Sequence, residues 1–248
     1  MTRLNPQEQS FKQLISQDKE YRIPKYQRNY SWIREHWNDL WDDIVELEEL
    51  DDKQHYMGPI VLKEKESSKE VEIIDGQQRF CSLTIIVLAT ISLLKDWSNA
   101  NIDKDSNEDY IKELKEIYIG KEGRLTPKRK LFLNKYDDPF YVTKLIEMYE
   151  EEPNSRDLLP SHILLKECFK YFKKQLNDKF QSKNGEEMVK FIHDTVMSNL
   201  SFIVIYVTSS DNAYTIFETL NARGLELSNT DLLKNYLFSL VKDDATDL

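Results

Sequence analysis

This sequence of 248 residues has little cysteine, no long apolar run and no excess of positive charge. Its two cysteines, Cys81 and Cys168, fall in segments with amphipathic helical spacing, so we expect buried thiols in a reducing, cytoplasmic compartment. No apolar run reaches membrane-spanning length, and the N-terminus lacks the basic-then-apolar pattern of a secretory signal. We therefore expect no membrane partner.

The net charge of −10 limits how the chain could bind nucleic acid. Affinity for the phosphate backbone grows with the number of cations on one surface, so any contact with DNA must be local. Histidine is also scarce, and the four histidines lie on different predicted elements: His36, His55, His162 and His193. No pair of them has the spacing of a metal site, so the histidines predict no metal centre.

Residues 71–80 have the pattern of a strand, a tight turn and the start of a helix. The β-branched run that ends at Ile74 favours a buried strand, and apolar residues recur at helical spacing over residues 83–94. Gly76 allows the tight turn, because glycine tolerates backbone conformations that a Cβ would block. The polar residues at this turn are Asp75, Gln77, Gln78 and Arg79. Free backbone N–H groups at a helix start favour an anion, which predicts a phosphate cradle, although an ordinary polar turn fits the spacing equally well.

A second segment, residues 23–32, has an amide, an arginine and aromatic residues just before a predicted helix. Pro24 favours an extended backbone in the residue before it, and Ser31 is a candidate N-cap for a helix with an apolar face over residues 33–47. Aromatic and guanidinium groups can stack on a base and bind phosphate. Burial of Tyr30 and Trp32 in an ordinary core is the simpler alternative.

The rest of the chain predicts a mixture of strands and helices. Asn5 and Glu8 have the spacing of a capping box, which predicts a short helix near the N-terminus. Two apolar runs on either side of the charged residues 63–70 predict a hairpin, and residues 200–207 predict a buried strand. Helices are predicted at about residues 108–118, 139–150, 161–180 and 186–199.

Four motifs in this order make the chain resemble the amino-terminal domain of the GmrSD family, whose members are type IV, modification-dependent restriction systems. The motifs are residues 23–32, 58–61, 74–79 and 217–224, the last followed by Leu227 and Asp231. The resemblance covers about residues 21–238. It implies an α+β fold with a small ParB/sulfiredoxin-like mixed sheet, in which residues 75–79 occupy the place of the ParB phosphate-binding box.

The resemblance also implies a site for a nucleoside triphosphate with Mg²⁺. The implied catalytic residues are Asp75, Gln78 and Arg79. The implied nucleotide-binding residues are Tyr26, Gln27, Arg28, Gly76, Gln77, Gln78, Arg79, Asn221 and Arg223, with Tyr30 and Trp32 to stack on a base or on modified DNA. Glu218 and Asp75 would hold the metal ion. Without the resemblance, residues 218–224 would fit a C-capping turn.

We expect two parts: a nucleotide-binding domain of residues 1–95, and a mostly helical region of residues 96–248. The second part is expected to return one strand and residues 218–224 to the pocket. The expected function is nucleotide binding and hydrolysis that regulates modification-dependent restriction of DNA, as in phage defence.

The family's nuclease is an HNH-type domain with closely grouped metal ligands, and the scattered histidines do not supply one. We therefore expect a partner subunit, or a further domain of a longer chain, to carry the nuclease. Two other functions stay open. The domain could sense a nucleotide or modified DNA and switch that nuclease without hydrolysis, or it could transfer a phosphoryl group to a protein.

Overall fold

A computed structural model describes residues 6–48, 54–65, 68–121, 128–148 and 158–207, and every contact below concerns these residues. The strands are β1 (Gln7–Ser10), β2 (Glu20–Arg22), β3 (His55–Glu64), β4 (Glu70–Asp75), β5 (Gly120–Lys121), β6 (Lys128–Arg129), β7 (Leu131–Phe132) and β8 (Leu200–Val207). The α-helices are α1 (Phe11–Ile15), α2 (Arg34–Glu46), α3 (Gln77–Asn99), α4 (Lys104–Leu114), α5 (Asp138–Phe140), α6 (Pro160–Lys179) and α7 (Gly185–Phe191). Three π-helical turns, Lys115–Ile119, Tyr141–Ile146 and Ile192–Ser198, continue α4, α5 and α7.

The main sheet has six strands in the order β1-β8-β3-β4-β2-β7, and β5 and β6 form a separate pair. The predicted hairpin is confirmed, since β3 and β4 are antiparallel neighbours. β8 runs parallel to β3, and β2 runs parallel to both β4 and β7. This mixed sheet with helices packed on it confirms the α+β class, whereas the likeness to ParB stays a prediction.

Helix α3 is the central element of the core. Its side chains are buried from Phe80 to Leu94, and the hydroxyls of Thr84 and Thr90 donate to the carbonyls of Phe80 and Ile86. By length and composition α3 is long and apolar enough to cross a membrane, which corrects the sequence estimate that no segment reaches that length. In this structure 89% of its most apolar window is buried against the rest of the chain. A helix buried in the core of a protein can have the same length and apolar composition.

The strand predicted at residues 200–207 is confirmed as β8, and it lies between β1 and β3 inside the sheet. The short helix predicted near Asn5 is wrong for residues 7–10, which form β1 and pair with β8. The first helix begins after Ser10, whose hydroxyl accepts from Gln13 N–H in a capping box. The division into two parts after residue 95 stays a prediction, and position 95 itself lies within α3.

Candidate functional site

Three loops meet where the parallel strands β2, β4 and β7 end. The loop after β2 comprises residues 23–31, the turn after β4 is Gly76, and residues 133–137 follow β7. Because these strands run in one direction, their carboxyl ends share one edge of the sheet, which is where open α/β sheets commonly bind ligands. The two main motifs of the sequence therefore lie side by side.

The turn at Gly76 is tight and left-handed. Gly76 has a φ of +90°, which side-chain-bearing residues rarely adopt, and a Cβ on it would lie 2.8 Å from Ile60 Cγ1. Helix α3 begins at the next residue without a side-chain cap. Its first N–H groups and the positive end of its dipole therefore face this edge of the sheet.

Arg79 is bound to the backbone of β3. Its guanidinium donates to the carbonyl of Pro59 at 2.6 Å and to the carbonyl of Met57. The pairing of β3 with β8 shifts register between Tyr56 and Pro59, so this part of β3 is an irregularity of the ladder. Gly58, in the middle, has a φ of +93°, and a Cβ there would collide with Arg79 Nη1. The motif at residues 58–61 and the motif at residues 74–79 are thus joined by Arg79.

Asp75 ends β4 beside Arg79, with Oδ2 3.6 Å from Nη2. Burial raises the pKa of the Asp75 carboxyl above its ordinary value of 3.8, and the charges of Arg79 and Arg28 and the Gly76 N–H act in the opposite direction. Burial also lowers the pKa of Arg79, against the effect of Asp75. The side chains of Asp75 and Arg79 keep exposures of 25% and 18%, so both can still meet a ligand at the surface.

Three glutamines tie the loop at residues 23–31 to the start of α3. Gln27 Nε2 donates to the Ile74 carbonyl at 2.8 Å, and Gln77 Nε2 donates to the Arg28 carbonyl at 3.2 Å. Gln78 uses both ends of its amide, accepting from Ser31 N–H at 2.9 Å and donating to the Asn29 carbonyl at 3.2 Å. All three side chains are buried, so they shape the site more than they present donors to a ligand.

The remaining residues predicted in this loop have different exposures. Arg28 is exposed, makes no ion pair with the residues that the structure describes, and lies near enough to Asp75 to affect its pKa. Tyr26 is half-buried. Trp32 is half-buried and stacks on His36, with ring centroids 5.6 Å apart.

Tyr30 lies in the core. Its side chain is 4% exposed, and its hydroxyl bonds with Ser82 and Cys168 and accepts from Trp37 Nε1. Burial of the hydroxyl raises the Tyr30 pKa well above 10. The stacking role predicted for Tyr30 does not fit this position, because neighbouring side chains enclose the ring, and the alternative of core burial describes it.

Comparison with known families agrees with this arrangement of motifs. The model of the family described as "GmrSD restriction endonuclease, N-terminal domain" matches residues 11–238. The chain belongs to this family. The resemblance inferred from the four motifs is therefore confirmed, and the family's description indicates a role in a restriction system. No curated protein matches the chain.

In this GmrSD domain, three of the four motifs lie within the described residues and converge on one edge of the sheet. The fourth motif, which carries Glu218, Asn221 and Arg223, lies outside the described residues, as do Leu227 and Asp231. The site described here therefore consists of residues 23–31, 56–60 and 74–79, together with 133–137.

Sequence reasoning missed three residues of this GmrSD site. Tyr56 is 53% exposed and lies near enough to Arg79 to affect its pKa, which makes it a candidate aromatic at the mouth of the site. Asn134 and Asp137 are buried in the turn after β7 and bond to the loop at residues 23–31. No local pattern marked them, because their partners lie about 105 residues earlier in the chain.

At the edge of the sheet where β2, β4 and β7 end, Asp75 has a carboxylate that could bind a magnesium ion. Among the described residues, no group of three histidine, cysteine or carboxylate side chains could hold a metal ion. Mg²⁺ in nucleotide sites needs only one or two protein carboxylates, since phosphate oxygens and waters fill the other positions. Asp75 therefore fits such an ion as a single protein ligand, and Glu218 stays a predicted second ligand.

Proposed function

We propose that this domain binds a nucleoside triphosphate with Mg²⁺ and hydrolyses it, and that hydrolysis regulates DNA cleavage in a restriction system. The observation that carries the proposal is the start of α3, which has no side-chain cap and lies beside the exposed Arg28 and the carboxylate of Asp75. Backbone N–H groups and a nearby cation are the groups that bind phosphate, and a carboxylate can orient water or hold Mg²⁺.

Each residue then has a distinct role. The N–H groups of Gln77, Gln78 and Arg79 bind phosphate oxygens at the helix start, and Arg28 neutralises their charge. Asp75 orients the attacking water or binds Mg²⁺, and its raised pKa makes it a better proton acceptor than a fully solvated aspartate. When bound, Mg²⁺ would neutralise charge on the phosphates. The side chain of Gln78 positions the loop, since both ends of its amide are already bonded.

A second candidate function is a sensor that binds a nucleotide or modified DNA and switches a partner nuclease without hydrolysis. The bonding of Arg79 and Gln78 favours it, because the guanidinium is directed at two backbone carbonyls and the amide at the loop. A sensor needs groups that bind its ligand, but it does not need a cation that stabilises the charge developing in a transition state. Tight binding of a triphosphate without release of phosphate would select this function.

A matched pair of substitutions tests the proposal. Arg28→Ala should weaken triphosphate binding about tenfold or more with little change in thermal midpoint, because the side chain is exposed and unpaired among the described residues. Arg79→Ala should lower the thermal midpoint as well as the rate of phosphate release, because it removes two bonds to β3. Binding is measured by calorimetry with Mg²⁺ and each triphosphate in turn. Wild-type protein that binds no triphosphate would refute the proposal.

A further inference from the structure

The loop that carries Arg28 is held by two parts of the chain, the start of α3 and the turn after β7. We call residues 27–31 the arginine loop. On the side of α3, the side chains of Gln27, Gln77 and Gln78 bond to Ile74 or to the backbone of the loop, at distances between 2.8 and 3.2 Å. These contacts involve residues of the recognised motifs.

The turn after β7 also holds the loop. Asn134 Nδ2 donates to Asn29 Oδ1 at 2.9 Å, and Asp137 Oδ2 accepts from Tyr30 N–H at 2.8 Å. Both side chains are almost completely enclosed, with exposures of 2% for Asn134 and 1% for Asp137. A buried carboxylate bonded to a backbone N–H is a strong, charge-assisted contact that is costly to leave unpaired.

This turn is itself fixed in shape. Asn134 Oδ1 accepts from the N–H groups of Tyr136 and Asp137, at 3.0 and 3.1 Å. Ser161 donates to Asp137 Oδ1 at 2.6 Å and accepts from Asn29 Nδ2 at 3.3 Å. The bonds form a closed network between the arginine loop, the turn and the start of α6. Because each member fixes the next, the network resists distortion more than isolated bonds would.

The arrangement leaves Arg28 as the exposed side chain of the arginine loop, while Gln27 and Tyr30 are buried and Asn29 and Ser31 are half-buried. A rigid loop that presents one cation loses little conformational entropy when an anion binds. The buried residues that bond to the arginine loop are therefore suited to fixing the position of the Arg28 guanidinium.

We propose that Asn134 and Asp137 are positioning residues that hold the arginine loop so that Arg28 meets the phosphates of the nucleotide. The proposal rests on the proposed function for the identity of the ligand. It adds a second support for the arginine loop, the turn after β7, which belongs to none of the four motifs. Neither residue touches the phosphate. Each acts through the backbone or side chain of the loop.

Hydrogen exchange tests the network without any nucleotide. Asn134→Ala should accelerate amide exchange at Tyr30 and Ser31 about three- to tenfold, because the loop loses its side-chain support from the turn. The matched control is Asn107→Ala, which removes an equally buried asparagine whose amide donates to the Ile102 carbonyl. The control should leave exchange in residues 27–31 unchanged. Equal exchange in Asn134→Ala and wild type would overturn the proposal.

Asn29→Ala covers the case in which Asn134→Ala fails to fold. It removes the same bond from the side of the loop and leaves the turn at residues 134–137 intact. Faster exchange at Tyr30 in this variant supports the network, and unchanged exchange overturns it.

Nucleotide affinity then tests the positioning role. Asn134→Ala should weaken triphosphate binding about three- to tenfold, and it should have no further effect in protein that already carries Arg28→Ala. An equal loss with and without Arg28 would overturn the proposal, because the effect would then not pass through that side chain. If wild-type protein binds no triphosphate, the proposed function fails, and the exchange result alone decides whether the turn holds the loop.

Discussion

The two arginines of the site have different environments although both come from recognised motifs. Arg79 is mostly enclosed and is bonded to two carbonyls of β3, whereas Arg28 is exposed and has its carbonyl, not its side chain, bonded to Gln77. A guanidinium directed at backbone carbonyls keeps neighbouring strands and helices in register. Arg79 therefore stabilises the structure of the site, and under the proposed function Arg28 is the arginine that contacts the ligand.

Asp75→Asn should alter the dependence of stability on pH. Because burial raises the pKa of Asp75, the folded protein binds this proton more tightly than the unfolded chain, and ionisation lowers stability as the pH rises from about 3.8 through the folded pKa. The asparagine variant lacks that penalty. The difference in thermal midpoint between Asp75→Asn and wild type should therefore be more positive at pH 7 than at pH 3.5. Asp75→Asn should also lose phosphate release.

The measurement is thermal unfolding of both proteins between pH 3 and pH 8. A difference in midpoint that does not change over this range would mean that Asp75 has the same pKa in the folded and unfolded states. Retained phosphate release in Asp75→Asn would remove Asp75 from the mechanism.

Among the elements, the irregular part of β3 determines the geometry of the site. Met57 and Gly58 interrupt the pairing with β8, and the carbonyls on either side of Gly58 turn toward Arg79 at the first turn of α3. Irregularities of this kind redirect backbone groups at the edge of a sheet. The prediction that Ser31 caps α2 is wrong, since α2 begins at Arg34 with Ile33 in the N-cap position, and Ser31 N–H instead bonds to Gln78.

Gly58→Ala should destabilise the protein by about 1 to 3 kcal/mol, because alanine is strained at this φ and its Cβ collides with the Arg79 guanidinium. In protein that already carries Arg79→Ala, the same change should cost about 1 kcal/mol less, because only the backbone strain remains. Chemical denaturation of the four proteins measures both values. Equal costs in the two backgrounds would mean that the space beside Arg79 is not limiting.

The whole molecule depends on pairing between distant parts of the chain. β8 lies between β1 and β3, so residues 200–207 complete a sheet whose other main strands come from residues 7–75. α6 also packs against α3, with Lys173 bonded to Ser92 and paired with Asp96 at 2.6 Å. The second half of the chain thus completes both the sheet and the core of the first half.

A fragment of residues 1–95 should show no cooperative unfolding transition. It would leave β1 and β3 without the strand between them and α3 without α6, exposing the most apolar helix of the described chain. Circular dichroism and calorimetry of this fragment, beside the full chain, give the comparison. A sharp transition in the fragment would identify residues 1–95 as an independent domain.

The chain by itself should not cut DNA under conditions in which it binds a triphosphate. Metal-dependent cleavage needs ligands grouped around the ion, and no such group occurs among the described residues. The assay uses purified protein, plasmids with glucosylated or phosphorothioate modifications, and Mg²⁺ or Mn²⁺ with each triphosphate. Cleavage should appear only with an HNH-type partner. Nicking that copurifies with the protein and is lost in Asp75→Ala would contradict this expectation.

Local patterns in the sequence were enough to predict several helices and strands and the family. The β-branched run, Gly76 and the helical spacing after it predicted a strand, a turn and a helix, and β4 and α3 confirm them. The hairpin of β3 and β4, the later helices and the strand at residues 200–207 were predicted for the same reason. Turns and the periodicity of apolar residues depend on neighbours a few residues away, so they can be recognised in a single sequence. The order of four motifs sufficed for the family.

Which side chains are exposed at the site could be learned only from the fold. Residues 7–10 form a strand because β8 supplies their partner from about 190 residues away, which overrides the helical pattern at Glu8. The bonding of Arg79 to β3, the burial of Tyr30 and the contacts of Asn134 and Asp137 likewise depend on distant parts of the chain. Residue type and spacing predict chemistry that is possible, whereas exposure and bonding depend on packing, which the fold as a whole determines.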